Sequence, residues 1–307
     1  MKTLILSLLI VFTMVFSTMG QNLQVYHSSK KQTVNLNEYK DNWNVAVQSM
    51  EMMFPGGNSY NNFLLNQKKI ATNKFPRKGK SIKKRSFNQP TFLIENGFEG
   101  NLFNNKVPND NTLAISNNDI IIAGINSSYI VYDLNNDSLL LRTTLNSITS
   151  SFTNLLFVKK YDPKFIYDHE EDRFIMVFLV GNKPGNSHVC VAFSTTNHPL
   201  DDWNVYMLKG DALDTGHWTD YPAISLTKDD LFITGNLLLD GVSWQLGFKE
   251  SLIWQIDKFS GYNGADSLSL NLWSELKDDS INIRNIHPVR GARELQDKQQ
   301  FFLSNKN

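Results

Sequence analysis

From about residue 108 onward, short apolar runs recur, and clusters of Asn, Asp, Gly and Ser separate them. Runs of this length bounded by turn formers are the mark of strands. They fall at Leu113–Ser116, Asp119–Ile125, Tyr129–Leu134 and Ser138–Leu145, then at Lys164–Tyr167, Arg173–Val180, His188–Ser194 and Trp203–Leu208. A last set covers Ala223–Leu226, Leu231–Leu237, Ser251–Asp257 and Leu270–Leu276. No sustained helical period lies between them, which predicts an all-β body and argues against helices wound onto a parallel sheet.

The runs repeat. Asn111 to Asn126 aligns with Tyr221 to Asn236 with one gap, and both read strand, polar turn with Asp, apolar strand, Gly, Asn. Asp162 to Phe178 has the same form, and another copy starts at His287-Pro288 and ends at Phe301–Ser304. Pro163, Pro222 and Pro288 stand 59 and 66 residues apart. Four-stranded antiparallel units at such a period predict the blades of a β-propeller, each burying its faces against its neighbours. A β-sandwich would give turns at 8–12-residue spacing without the longer period. The expected body is 101–307, with blades at about 108–145, 162–208 and 221–276 and a partial one from about 287. Three whole blades and the start of a fourth do not close a ring, so the reading is a truncated ring. The alternative is an oligomer that closes it.

The N-terminal third differs. Met1-Lys2-Thr3 is followed by the apolar run Leu4–Phe16, with Thr18 and Gly20 at −3 and −1 of a cut before Gln21. That pattern predicts a signal peptide over 1–20, too short in its apolar part to span a bilayer. Residues 21–67 read as a partly helical segment, with one helix over Asn37–Met53 and a shorter one over Asn62–Ala71. Residues 68–100 read as a basic linker.

Charge sharpens this division. The 307 residues hold 30 basic and 30 acidic side chains, so the formal net charge is zero. Nine Lys and Arg fall between Met52 and Ile94 with no acid among them, whereas residues 86–307 carry 17 basic and 27 acidic residues, a net of −10. The basic run lacks the interleaved aromatics that stack on bases, so no nucleic-acid partner is expected and a solvated linker is. One cysteine, Cys190, excludes an internal disulfide and sits in an apolar run as a buried thiol.

Candidate chemistry is sparse. Glycoside hydrolysis needs two carboxyls flanking the bond, and Asp162, Asp220 and Glu275 are the candidates. Asp162 and Asp220 also fit as turn caps at equivalent places in the repeat. Asp168 and Arg173 flank the turn His169–Asp172 and predict a cross-strand ion pair. Five tryptophans, Trp203, Trp218, Trp244, Trp254 and Trp273, lie within 71 residues, most of them expected in blade packing. Trp218 and Tyr221, in the loop His217–Pro222, are the pair expected to be exposed at a ligand site. The histidines show no metal-ligand spacing. The acidic turns at Asn135–Asp137 and Asp201–Asp202 offer oxygens of the kind Ca²⁺ takes but lack the spacing of a calcium loop, so no metal or cofactor is expected.

Three motifs carry a family resemblance: Asp162-Pro163…Tyr167-Asp168…Asp172-Arg173-Phe174, Cys190–Thr195…Asp202-Trp203, and Trp218–Pro222…Ile233–Asn236. They resemble uncharacterised secreted β-propeller-like proteins of bacteria, many of which end in a type IX secretion sorting domain. The resemblance covers roughly 105–305. It implies export and an extracellular or outer-surface location, but no known activity, and the sorting domain is absent from these residues. The expected role is a non-catalytic recognition or adhesion module that binds a glycan or protein ligand through blade loops. Asp162-Pro163 is also similar to the start of a first strand in five-bladed glycosidases, which leaves a hydrolase as the alternative. A structural spacer is a third.

Overall fold

A computed structural model describes residues 21–28, 31–39, 57–74, 97–102, 108–244, 246–291 and 294–305. The expected signal peptide, nearly all of the Asn37–Met53 helix and most of the basic linker lie outside them. In chain order the elements are β1 (Asn22–His27), β2 (Lys31–Asn35), α1 (Gly57–Lys74), β3 (Thr112–Ile115), β4 (Ile120–Ile125), β5 (Ser128–Asp133) and β6 (Ser138–Thr144). The second half holds β7 (Lys160–Asp168), β8 (Arg173–Val180), β9 (His188–Ser194), β10 (Asp202–Lys209), β11 (His217–Leu226), β12 (Asp230–Leu239), β13 (Phe248–Asp257), α2 (Lys258–Tyr262) and β14 (Ser269–Ser274). Four two-residue strands follow: β15 (Lys277–Asp278), β16 (Ile281–Asn282), β17 (His287–Pro288) and β18 (Phe302–Leu303).

The all-β expectation for the body holds. Three antiparallel meanders follow one another, β3–β6, β7–β10 and β11–β14. Hairpin turns within them use Asp119, Asp137 and Asp172 with φ of 59°, 48° and 56°. Asp tolerates this left-handed region because its short side chain bonds locally, so the Asn/Asp clusters read from sequence sit where the chain reverses.

The leader departs from its expected form. β2 pairs antiparallel with β10, and β1 pairs antiparallel with β14, so the second and third sheets each gain a fifth, outermost strand from residues 22–35. Lys68, Lys69 and Lys74 lie on α1 rather than in an irregular linker, and every side chain described on that helix is exposed. Residues 36–39, the one described part of the Asn37–Met53 prediction, form a 3-10 turn.

Packing explains the apolar runs. On β8, Phe174, Met176, Phe178 and Val180 enter the core shared with the first sheet, while Ile175, Val177 and Leu179 enter the core shared with the third. Strand β9 splits likewise, with Cys190 and Ala192 on one side and Val189, Val191 and Phe193 on the other. A sheet covered on both faces reads as a continuous apolar run rather than as an alternation, because successive side chains point to opposite faces and neither meets water. Each fully buried side chain of this size contributes roughly 1.5–3 kcal/mol.

A buried serine at each junction helps tie its sheet to the unit that follows. Ser127 Oγ donates to Lys160 O at 2.7 Å, Ser187 Oγ accepts from Thr219 N at 3.1 Å, and Ser251 Oγ donates to Ile283 O at 2.8 Å. All three serines are buried. Each bond satisfies a backbone group that the sheet ladders leave open.

Candidate functional site

The first strand of each unit faces the others. Phe165 N on β7 donates to Thr112 Oγ1 on β3 at 2.9 Å, and further along in the same direction Asn117 Nδ2 donates to His169 O at 3.3 Å. Between β11 and the β17 segment, the Tyr221 and His287 rings meet edge to face at 6.4 Å, and Arg290 Nε donates to Ile224 O at 3.0 Å. These matched steps run β3 alongside β7, and β11 alongside the β17 segment, each pair in one direction. A cavity of about 690 Å³ opens among them, with Asn109, Asn111, Lys164, Ala223, His287 and Arg290 in its walls. A second, of about 490 Å³, continues along the same strands past Ile115, Ile166 and Tyr167.

Irregular backbone flanks the residues that line this cleft. Asp110, Asp162, Tyr221 and Asn285 have φ of 48°, 53°, 58° and 54°, and each lies at or just before the first strand of its unit. On β7 the ladder skips between Tyr161 and Lys164, and on β11 between Asp220 and Ala223. Pro163 and Pro222 lack an N–H and stand at the skips, where no ladder bond is needed. A bulge bends its strand and re-aims the neighbouring side chains. Left-handed backbone at a non-glycine residue costs of order 1–2 kcal/mol and marks a place held for a reason other than strand stability.

The bulges bring acids together. Asp162 is hydrogen-bonded to Asp110 and lies within electrostatic reach of Asp220. Its pKa is pushed up to about 8, first by burial, then by the charges of Asp220 and Asp110, with Lys164 acting against the shift. The Asp162 carboxyl therefore keeps its proton at neutral pH. Asp110 is itself held by Asn126, whose Nδ2 donates to Oδ2 at 3.0 Å.

The sequence candidates divide. Asp162 and Asp220 lie within electrostatic reach of each other, next to the bulges that precede the cleft-lining Lys164 and Ala223. Glu275 does not join them: it is exposed at the end of β14, three strands away from β11, and its N–H donates to Glu250 Oε2 at 2.9 Å. Asp110 stands as the third acid instead. It was legible, because the repeat that aligns Asn111 with Tyr221 also sets Asp110 against Asp220. Tyr221 is exposed beside His287, whereas Trp218 packs half-buried against the core between the second and third sheets. Of the remaining tryptophans, Trp203 and Trp254 are fully buried and Trp244 is 47% exposed.

Asp168 and Arg173 are register partners across the β7–β8 hairpin, but the expected ion pair between them is replaced. Asp168 Oδ2 accepts from Lys258 Nζ at 2.7 Å and from Tyr262 OH at 2.9 Å, while Arg173 Nη1 donates to Asp172 O at 2.9 Å. Both charged side chains of the Asp168–Lys258 pair are fully buried, so an ion pair that joins two sheets stands where a surface hairpin pair was expected. Among the described residues no cluster of three or more His, Cys, Asp or Glu has a metal-holding arrangement.

Compared with family models, with curated proteins and with solved structures, the chain matches none.

Proposed function

We propose that this chain is an exported β-propeller recognition module whose central cleft binds a glycan. Three successive four-stranded meanders, whose first strands all line one cavity, support the propeller reading, since blades present their inner strands to a common axis. The leader Met1–Gly20 supports export. The observation that carries the glycan reading is the makeup of the cleft. Asn109 and Asn111 line the cavity with Lys164 and His287, the exposed ring of Tyr221 stands against His287, and the carboxyl of Asp162 lies within electrostatic reach of Lys164. Amides and a protonated carboxyl both donate and accept hydrogen bonds, as sugar hydroxyls require, and an aromatic face covers the apolar side of a pyranose.

Retention on a panel of insoluble and immobilised polysaccharides tests this. The expected result is binding without product, reduced at least about tenfold in Tyr221→Ala at unchanged thermal stability. Binding to an immobilised protein and to no glycan would replace the glycan by a protein ligand. Neither would leave a spacer.

One observation favours a second reading. A carboxyl that holds its proton beside ionisable partners is the pairing a glycoside hydrolase uses, with Asp162 as acid and Asp220 as the second carboxylate. Release of reducing ends that Asp162→Asn abolishes, with binding retained, would establish turnover and overturn the non-catalytic role.

A further inference from the structure

The walls of the cleft also carry positive charge that no carboxylate takes up fully. Lys164 comes from β7, and His287 and Arg290 come from β17 and the residues after it. The three are close enough to act on one another: burial lowers the His287 pKa first, and the charges of Arg290 and Lys164 lower it further. Among the described residues Arg290 makes one hydrogen bond, from Nε to Ile224 O, and no ion pair. Its two terminal amino groups are left for something else. Lys164 lies within electrostatic reach of Asp162 but forms no ion pair among the described residues. Two cations, beside a histidine that they and burial hold toward its neutral form, cost electrostatic free energy at a cavity wall unless an anion enters between them.

We infer that Lys164, His287 and Arg290 form a subsite for the carboxylate of an acidic sugar, an inference that rests on the glycan-binding reading above. A guanidinium presents a planar fork that matches a carboxylate with two parallel N–H···O bonds, and a lysine adds a point charge. Asn109 and Asn111, lining the same cavity, serve the hydroxyls of the same residue. Of the three acids beside the cleft, Asp162, with its pKa raised to about 8, is held toward its uncharged form, whereas Asp110 and Asp220 act on it as negative charges and oppose an anionic ligand. The field of the acidic body does not draw an anion in from a distance. Selectivity is therefore local, and it weakens as salt screens the contact.

Calorimetric titration of the full chain with a uronic-acid oligosaccharide, its carboxyl-reduced neutral counterpart and a sulfated neutral oligosaccharide tests the assignment. The expected order has the uronate about tenfold or more tighter than the reduced form, with that preference lost in Arg290→Gln, partly kept in Arg290→Lys and diminished in Lys164→Gln. Thermal denaturation of each variant separates loss of the subsite from loss of the fold. Equal affinity for the uronate and its reduced form, or an unchanged preference in folded Arg290→Gln, overturns the carboxylate subsite and leaves glycan binding standing. Preference for the sulfated ligand overturns the carboxylate in favour of a tetrahedral anion. Failure of all three ligands, together with failure on the polysaccharide panel, overturns the glycan reading itself.

Discussion

Replacing Lys258 by Met removes one half of a fully buried ion pair and leaves the other half in place. Asp168 keeps three hydrogen bonds, from Tyr262 OH at 2.9 Å and from the backbone N–H groups of Glu170 and Glu171 at 3.2 and 3.3 Å. None of these donors carries a charge. The carboxylate then sits unpaired at zero exposure, and Thr227 O loses the second bond of the ammonium, 3.3 Å long. Breaking a buried pair from one side costs about 3–5 kcal/mol. In a body of this size that lowers Tm by roughly 10 °C. Urea unfolding followed by the emission of the fully buried Trp203 and Trp254 reads the change, as a fall in the midpoint at constant slope. The partner variant Asp168→Leu and the double variant complete a cycle. The double variant should lose less than the sum of the singles by at least about 1 kcal/mol, since neither charge is then stranded. Additive singles, or a Lys258→Met cost below about 1 kcal/mol, would refute the reasoning and mean that water reaches the pair. Because the pair joins the β7–β8 turn to α2, at the opposite end of β7 from Asp162, ligand binding in the folded variant should be unchanged.

Two further predictions concern titration and accessibility. The folded-state pKa of Asp162, about 8, lies above its unfolded value near 4, so the stability it confers is whole below about pH 4 and is lost as pH rises through 8. Tm measured from pH 5 to pH 9 should fall more steeply in the wild type than in Asp162→Asn, and parallel curves would show that Asp162 titrates normally. Cys190 is fully buried and burial raises its thiol pKa well above the ordinary value, so a disulfide reagent should label it only at the rate of unfolding. Rapid labelling of the native protein at pH 8 would contradict the packing between the first and second sheets.

Much of the architecture was legible because it is local. Arg173–Val180 reads as a strand from its own residues, and it reads as a buried one because both faces are apolar. Aspartates at turns and prolines at bulges mark the reversals and the skipped ladder positions for the same reason, since each constrains its own backbone. The repeat aligned Asp162 with Asp220, and it held Asp110 in the same column. What neighbours in sequence do not encode had to come from packing. β1 and β2, Asn-Leu-Gln-Val-Tyr-His and Lys-Gln-Thr-Val-Asn, carry too little apolar signal to announce themselves, since an outermost strand takes its order from the edge it joins. The partner of Asp168 lies 90 residues away on Lys258 rather than five away on Arg173, because the stacking of the third sheet on the second brings α2 over the hairpin. Glu275, just past β14, and Asp220, on β11, end up three strands apart in one sheet, a separation set by strand order alone. Lys164 stands more than 120 residues from His287 and Arg290 in sequence; the three line one cavity only because the fold brings β7 and the β17 segment to it, and the charge of the cleft is a property of that meeting.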